Sequence, residues 1–205
     1  MINFKKRHFL LHLLGLPMLS VANSAQSVTT PPQALGPFYP SKLPLDRDAD
    51  LTMVSGKEKK AFGEIVNLYG SVVDRDSVPI AAASVEIWQC DAFRTYHHPL
   101  DGGGTDPFFQ GYGRTVTNDK GQYRFKTIKP VAYPGRAPHI HVRISTDSKE
   151  LITQIYVKGD PHNEKDFLLN SISDEKARKS LEIAFSRDAS GKTGELFAVF
   201  NPILS

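Results

Sequence analysis

Arg114-Thr115-Val116-Thr117-Asn118-Asp119-Lys120-Gly121-Gln122-Tyr123-Arg124-Phe125-Lys126-Thr127-Ile128 reads as two short β runs joined by a polar turn. Arg114 to Thr117 and Tyr123 to Ile128 flank Asn118-Asp119-Lys120-Gly121, a hairpin signal. The same rhythm continues on both sides. Upstream, Leu68 to Val73 and Ala83 to Gln89 are strand candidates, with a turn around Asp74-Arg75-Asp76. Downstream come His139 to Ser145, Thr153 to Lys158, Leu181 to Ser186 and Leu196 to Pro202, the last two flanking a turn at Asp188-Ala189-Ser190-Gly191. The only helical-looking piece, Asp174 to Lys179, is a single short turn. Regular short strands with polar turns predict an all-β protein, an antiparallel β-sandwich with little helix.

Two further segments precede this domain, which is expected over residues 63–205. Residues 25–62, rich in Pro, Ser, Asp and Lys, read as an extended N-terminal arm that wraps the domain or a partner subunit. Residues 1–24 have the form of a signal peptide. Lys5, Lys6 and Arg7 precede the apolar run Phe9 to Ala22, and small residues follow at Ala22, Ser24 and Ala25. That run is short for a spanning helix, so export to the periplasm or the exterior is expected, with no stable membrane insertion after cleavage. An uncleaved anchor is the plain alternative. Lys6-Arg7-His8-Phe9-Leu10 also resembles a twin-arginine export signal whose first arginine is lysine.

Removing the leader takes away three basic residues and no acidic ones, leaving 22 of each, so nucleic acid is not implied as a partner. The single cysteine, Cys90, has no internal disulfide partner.

Chemistry concentrates in Tyr133-Pro134-Gly135-Arg136-Ala137-Pro138-His139-Ile140-His141. On a strand, His139 and His141 point to one face, because side chains repeat every second residue. Two imidazoles plus phenolate oxygen suit a hard, trivalent transition metal, whereas zinc more often takes a third histidine, a cysteine or a carboxylate. An isolated H-x-H also fits packed or surface strand histidines; Tyr133 nearby and Tyr96, in Arg94-Thr95-Tyr96-His97-His98-Pro99, shift the balance. The plain reading of the tyrosines is core or turn aromatics, and of Arg136 a surface salt bridge.

From Gly36-Pro37-Phe38-Tyr39 to the final strand, the sequence resembles the intradiol ring-cleavage dioxygenases, and within them the iron-bearing chain of the protocatechuate-cleaving type. The segments that carry the resemblance are Leu68-Tyr69-Gly70, Val85-Glu86-Ile87-Trp88-Gln89, Tyr96, Gly113-Arg114, Thr117 to Phe125, Ile128-Lys129-Pro130, Tyr133-Pro134, His139-Ile140-His141 and Leu151 to Tyr156. Each is weak alone; together, in this order and spacing, they are specific. The resemblance implies one ferric ion per chain, with Tyr96 and His139 as equatorial ligands and Tyr133 and His141 as axial ones. It implies Arg136 and Gln154 as polar groups of the catalytic pocket. It implies substrate activation: a catechol binds as a dianion, Tyr133 departs and takes a proton, and dioxygen attacks the ring. The bond between the two hydroxylated carbons then breaks to give a muconate-type diacid. The arm and the family habit suggest a homo-oligomer.

One departure stands out. Where the family has tryptophan after Tyr-Pro, this chain has Gly135, in a shortened loop, so a wider pocket and a bulkier catechol are expected. Two other classes fit parts of the pattern: a secreted sandwich that binds iron or a catecholate without turnover, and a structural sandwich with no metal.

Overall fold

The computed structural model describes residues 28–187 and 194–205. The leader reading and the turn at Asp188 to Gly191 fall outside those residues.

Two sheets face one another. One has the strand order β5 (Gln122–Ile128), β1 (Ile65–Ser71), β10 (Leu196–Val199), β9 (Ser186–Arg187). The other runs β4 (Tyr112–Val116), β3 (Ser84–Trp88), β6 (His139–Ser145), β7 (Glu150–Val157), β8 (Glu182–Ile183). A two-stranded pair joins β2 (Val73–Asp74) to β11 (Ile203–Leu204). Most pairings are antiparallel; β1–β10, β7–β8 and β2–β11 are parallel. The all-β sandwich is therefore what the chain builds.

Alternation explains how. Along β1, every second residue is buried, so Val66 and Leu68 join Phe125 and Ile128 in the space between the sheets. From the second sheet Val85, Ile87, Val142, Ile144 and Ile155 enter the same core. Fully burying an aliphatic side chain stabilises by roughly 1.5–3 kcal/mol, so this layer carries much of the fold's stability.

The hairpin that announced the fold is present. Asn118 Oδ1 accepts from the amides of Lys120 and Gln122, and Gly121 takes the left-handed conformation at φ +69°. Among the strands, the ends differ from expectation. The first strand starts at Ile65 because Ile65 pairs with Ile128, and the last segments divide into short strands that belong to different pairings. Helix α2 (Glu175–Ser180) sits where a short turn was expected, with Asp174 accepting from the Ala177 amide. A 3₁₀ turn (Pro161–Lys165) and helix α1 (Phe167–Asn170) had no counterpart in the sequence reading. Among the described residues no helix is long and apolar enough to cross a membrane.

Residues 28–62 lie along the domain without forming a strand of either sheet. Thr30 donates its amide to the Ile203 carbonyl and Gln33 donates its amide to Ile152. Phe38 and Tyr39 then pack on the outer face of the second sheet.

Candidate metal centre

That outer face is where the chemistry collects, and strand register is the reason. Side chains of directly opposed residues share a face. His141 is opposed by Trp88 on β3 and by Gln154 on β7; His139 is opposed by Tyr156; and Trp88 is opposed by Tyr112. The intervening residues, Ile87, Ile140, Val142 and Ile155, turn into the core.

Both histidines are fully enclosed, at 1% and 2% exposure. Tyr96 enters from the loop after β3, and its hydroxyl lies 3.2 Å from His139 Nε2. The ring centroids of His139 and His141 are 4.9 Å apart, Tyr133 is 5.5 Å from His139, and Tyr96 is 5.8 Å from Tyr133 and 6.1 Å from His141. The four side chains singled out by the sequence thus converge on one spot.

Each is held by a different device. His139 Nδ1 is 2.6 Å from the Ala137 carbonyl, so that nitrogen carries the proton and Nε2 keeps its lone pair toward Tyr96. His141 stacks on Trp88 with centroids 4.7 Å apart and planes 10° apart. Gly36 of the arm stands against it, with φ +79°; a Cβ there would approach His141 Cε1 to 3.2 Å. Tyr96 is stacked by Phe38 at 4.5 Å. Its loop is tied to buried Asp91, whose carboxylate accepts from the amides of Phe93, Thr95 and Asp106, while Asp101 accepts from the Tyr96 amide.

Tyr133 owes its place to a tight turn. The Arg136 amide donates to the Tyr133 carbonyl at 2.9 Å, Pro134 occupies the second position, and Gly135 the third at φ +81°. Proline then a left-handed glycine is the pattern of a type II turn. The turn sets Arg136 Nη1 3.4 Å from the Tyr133 hydroxyl. Arg136 also donates to Gln154 Oε1 at 2.6 Å and to Asp166 at 2.9 Å.

The electrostatics are those of a site built from neutral donors. Burial, with Arg136 adding to it, pushes His139 down to about 3; burial and His139 hold His141 well below its ordinary value. Burial raises both phenols, most strongly Tyr96, while Arg136 pulls Tyr133 the other way. Without a bound cation, all four groups are therefore uncharged at neutral pH. A trivalent ion offers what burial denies the phenols, a partner strong enough to displace their protons.

Ferric iron fits this donor set. Two neutral imidazoles and two phenols that become phenolates supply two nitrogens and two anionic oxygens. His141 Nδ1 and Gln154 Nε2 are buried without a hydrogen-bond partner among the described residues. No group of three or more His, Cys, Asp or Glu that could hold a metal occurs among the described residues, so the tyrosines are indispensable to such a site.

Sequence reasoning missed the supports. Asp166, fully buried, accepts from Arg136 Nε, the Ala137 amide and the amides of Leu168 and Leu169. It thereby joins the arginine, the residue whose carbonyl orients His139, and the start of α1. An aspartate directly ahead of a short apolar run, here Phe167-Leu168-Leu169, is a capping signal and was there to be read. Phe38, Trp88 and Tyr156 carried no such mark.

A family profile described as dioxygenase matches residues 35–201. The protocatechuate 3,4-dioxygenase beta chain of Burkholderia cepacia is 37% identical over 168 residues, covering 77% of this chain and 71% of that one. Catechol 1,2-dioxygenase of Candida albicans is 30% identical over 178 residues, covering 75% of this chain but 56% of the relative, so the chain spans little more than half of that protein. Among solved structures, the dioxygenase domain of a dioxygenase–carbohydrate-binding fusion from Streptomyces sp. SirexAA-E superposes with a TM-score of 0.64 at 27% identity, covering 87% of this chain and 99% of that one.

Proposed function

Because this chain belongs to the intradiol ring-cleavage dioxygenase family, we propose that it opens a catechol ring between the two hydroxylated carbons, using one ferric ion held by Tyr96, Tyr133, His139 and His141. The observation that carries this reading is the meeting of two phenols and two imidazoles, with Tyr96 Oη 3.2 Å from His139 Nε2, on a sheet face sealed by the arm.

Bound ferric iron would draw electron density from a chelated catechol and so make a ring carbon open to dioxygen. The remaining work falls to the chain. His139 and His141 present fixed, neutral nitrogens, since the Ala137 carbonyl sets one ring and Trp88 the other. Tyr133 Oη is the base: as phenolate it takes a catechol proton, with Arg136 Nη1 at 3.4 Å to steady the charge until it does. Arg136 is held by Asp166 and Gln154 and directs positive charge at the ring as negative charge builds there. Gln154 spends its oxygen on Arg136, which leaves its unpartnered amide nitrogen free to donate to a substrate oxygen. Phe38 and Trp88 keep water from Tyr96 and His141. The leader-like first stretch adds the proposal that this chemistry takes place outside the cytoplasm.

Reconstitution with ferric iron tests the reading. Tyrosinate charge transfer should colour the protein burgundy, and catechols should drive oxygen uptake with a ring-opened diacid as product. Colour without oxygen uptake would favour a catecholate or iron binder; a colourless protein that rejects iron would favour a structural sandwich.

A further inference from the structure

Two cavities flank the Tyr133 turn. The smaller, about 160 Å³, is lined by Tyr133, Gly135, Arg136, His162 and Lys165. The larger, about 470 Å³, shares Tyr133, Gly135 and His162 with it and is walled by Ala92, Val131 and Pro134. A Cβ at Gly135 would meet nothing within 4 Å, so nothing closes the space between them at that point. The ring that Tyr133 and Arg136 address needs only the first of these spaces. The second, in the size range of pockets that enclose much larger ligands, is left for whatever the ring carries.

Its charge says what that is. Three basic groups border the two cavities besides Arg136: Arg94, His162 and Lys165. Arg136 is answered by Asp166 at 2.9 Å, and His162 Nδ1 lies 2.7 Å from Asp160. Lys165 borders the smaller cavity only. Arg94 lines the larger one, and its guanidinium has no hydrogen-bond or ion-pair partner among the described residues. No carboxylate lines that cavity. Arg94 is set there by backbone alone: it adopts φ +71°, donates its amide to the Asp91 carbonyl, and is flanked by Phe93 and Thr95, whose amides bind the buried Asp91 carboxylate. An unpaired guanidinium over small apolar walls suits an anion on an apolar linker.

Resting on the dioxygenase reading, we infer that the substrate is a catechol whose ring bears an apolar side chain ending in a carboxylate, and that Arg94 is the residue that selects it. The side chain lies along Ala92, Val131 and Pro134, and its carboxylate meets the Arg94 guanidinium.

The iron-loaded full chain is assayed with catechol, 3-(3,4-dihydroxyphenyl)propanoate and the methyl ester of that acid. The expected result is a kcat/KM for the acid about tenfold above the ester, the value of one added charge-assisted contact. The preference should reside mainly in KM and shrink as ionic strength rises. Arg94→Asn, which tolerates a left-handed backbone, should bring the ratio to about one, and Arg94→Lys should restore part of it. A wild-type ratio near one, or a ratio unchanged in Arg94→Asn, overturns the inference while catechol cleavage leaves the dioxygenase reading standing. Ring opening of none of the three substrates overturns both.

Discussion

The histidine half of the centre and the tyrosine half are built in opposite ways. His139 and His141 sit on β6, a strand paired along its whole length to β7 and, from His141 onward, to β3 on its other side. Neither can shift without breaking ladder hydrogen bonds. Tyr96 and Tyr133 both come from outside the strands, one on a loop organised by Asp91, the other on a four-residue turn. Tyr133 is partly exposed and touches the two cavities, whereas Tyr96 is buried under Phe38. In the proposed centre, a rigid half would define where the metal sits and the other half would place one ligand at the solvent edge, as substrate exchange at a metal demands. A centre of four strand-borne ligands would hold its ion as tightly and have no place to admit a catechol.

The largest effect should come from the rigid half. His139→Ala removes a donor whose position no neighbour can supply, and the expected outcome is loss of bound iron together with loss of turnover. Metal analysis of the purified variant decides it; full iron occupancy would remove His139 from the ligand set. Tyr133→Phe should behave differently. Three donors stay in place, so iron is retained in good part, while the base that takes the catechol proton is gone. Proton transfer by a positioned side chain is worth roughly 10²–10⁴-fold, and a drop in kcat of that order with colour still present would support the division between the two halves. Equal iron loss in both variants would erase it.

The next effect belongs to the strut between the halves. Asp166 pairs with Arg136, beside the tyrosine, and binds the Ala137 amide, whose carbonyl orients His139. Burial would raise its carboxyl, but the Leu169 and Ala137 amides and Arg136 outweigh that and hold it below its ordinary value. Asp166→Ala leaves the largely buried Arg136 charge without its partner, a change that costs about 3–5 kcal/mol. The pH dependence has a fixed sign. A depressed carboxylate stabilises the fold above the usual carboxylate pKa of about 4 and loses that contribution as pH falls. The stability gap between the wild-type protein and Asp166→Asn, measured by urea unfolding, should therefore be widest near neutrality and narrow below about pH 4. A gap independent of pH would mean the charge of Asp166 is irrelevant.

The same division governs how much could be read from the sequence. His139 to Ser145 was legible to the residue, because a strand-borne H-x-H declares its own geometry and period. The hairpin at Asn118 to Gly121 was equally plain, its signal being local. Tyr96 and Tyr133 could be placed through resemblance to a family, since nothing within their own segments says that they meet 37 residues apart along the chain. Asp166 was passed over although its capping signal lay in the open, because its second role, with Arg136 thirty residues away, is set by packing. The arm was seen as extended but not as the cover of the site; that depends on Phe38 meeting Tyr96, a contact of two rings far apart in sequence. Local physics is written in segments, and convergence is not.

The smallest effect isolates a single contact on the rigid half. Gly36 and Gly135 share a left-handed backbone, at φ +79° and +81°. Alanine at either position carries the same conformational cost, roughly 1–2 kcal/mol. They differ in what the new methyl meets: at Gly135 nothing lies within 4 Å, while at Gly36 it presses on His141 Cε1 at 3.2 Å. His141 has little room to yield, since it is stacked on Trp88 and fixed in β6. The arm must move instead, and Phe38 with it, only two residues further on. Gly36→Ala should therefore lower Tm a few degrees more than Gly135→Ala, with about 2–4 °C expected per kcal/mol in a domain of this size. Its shift of the visible band of the iron-loaded protein should also be the larger, because it disturbs the packing of both His141 and Tyr96, whereas Gly135→Ala acts only through the turn that carries Tyr133. Equal shifts from the two variants would show that the arm rests on the histidine half without bearing on it.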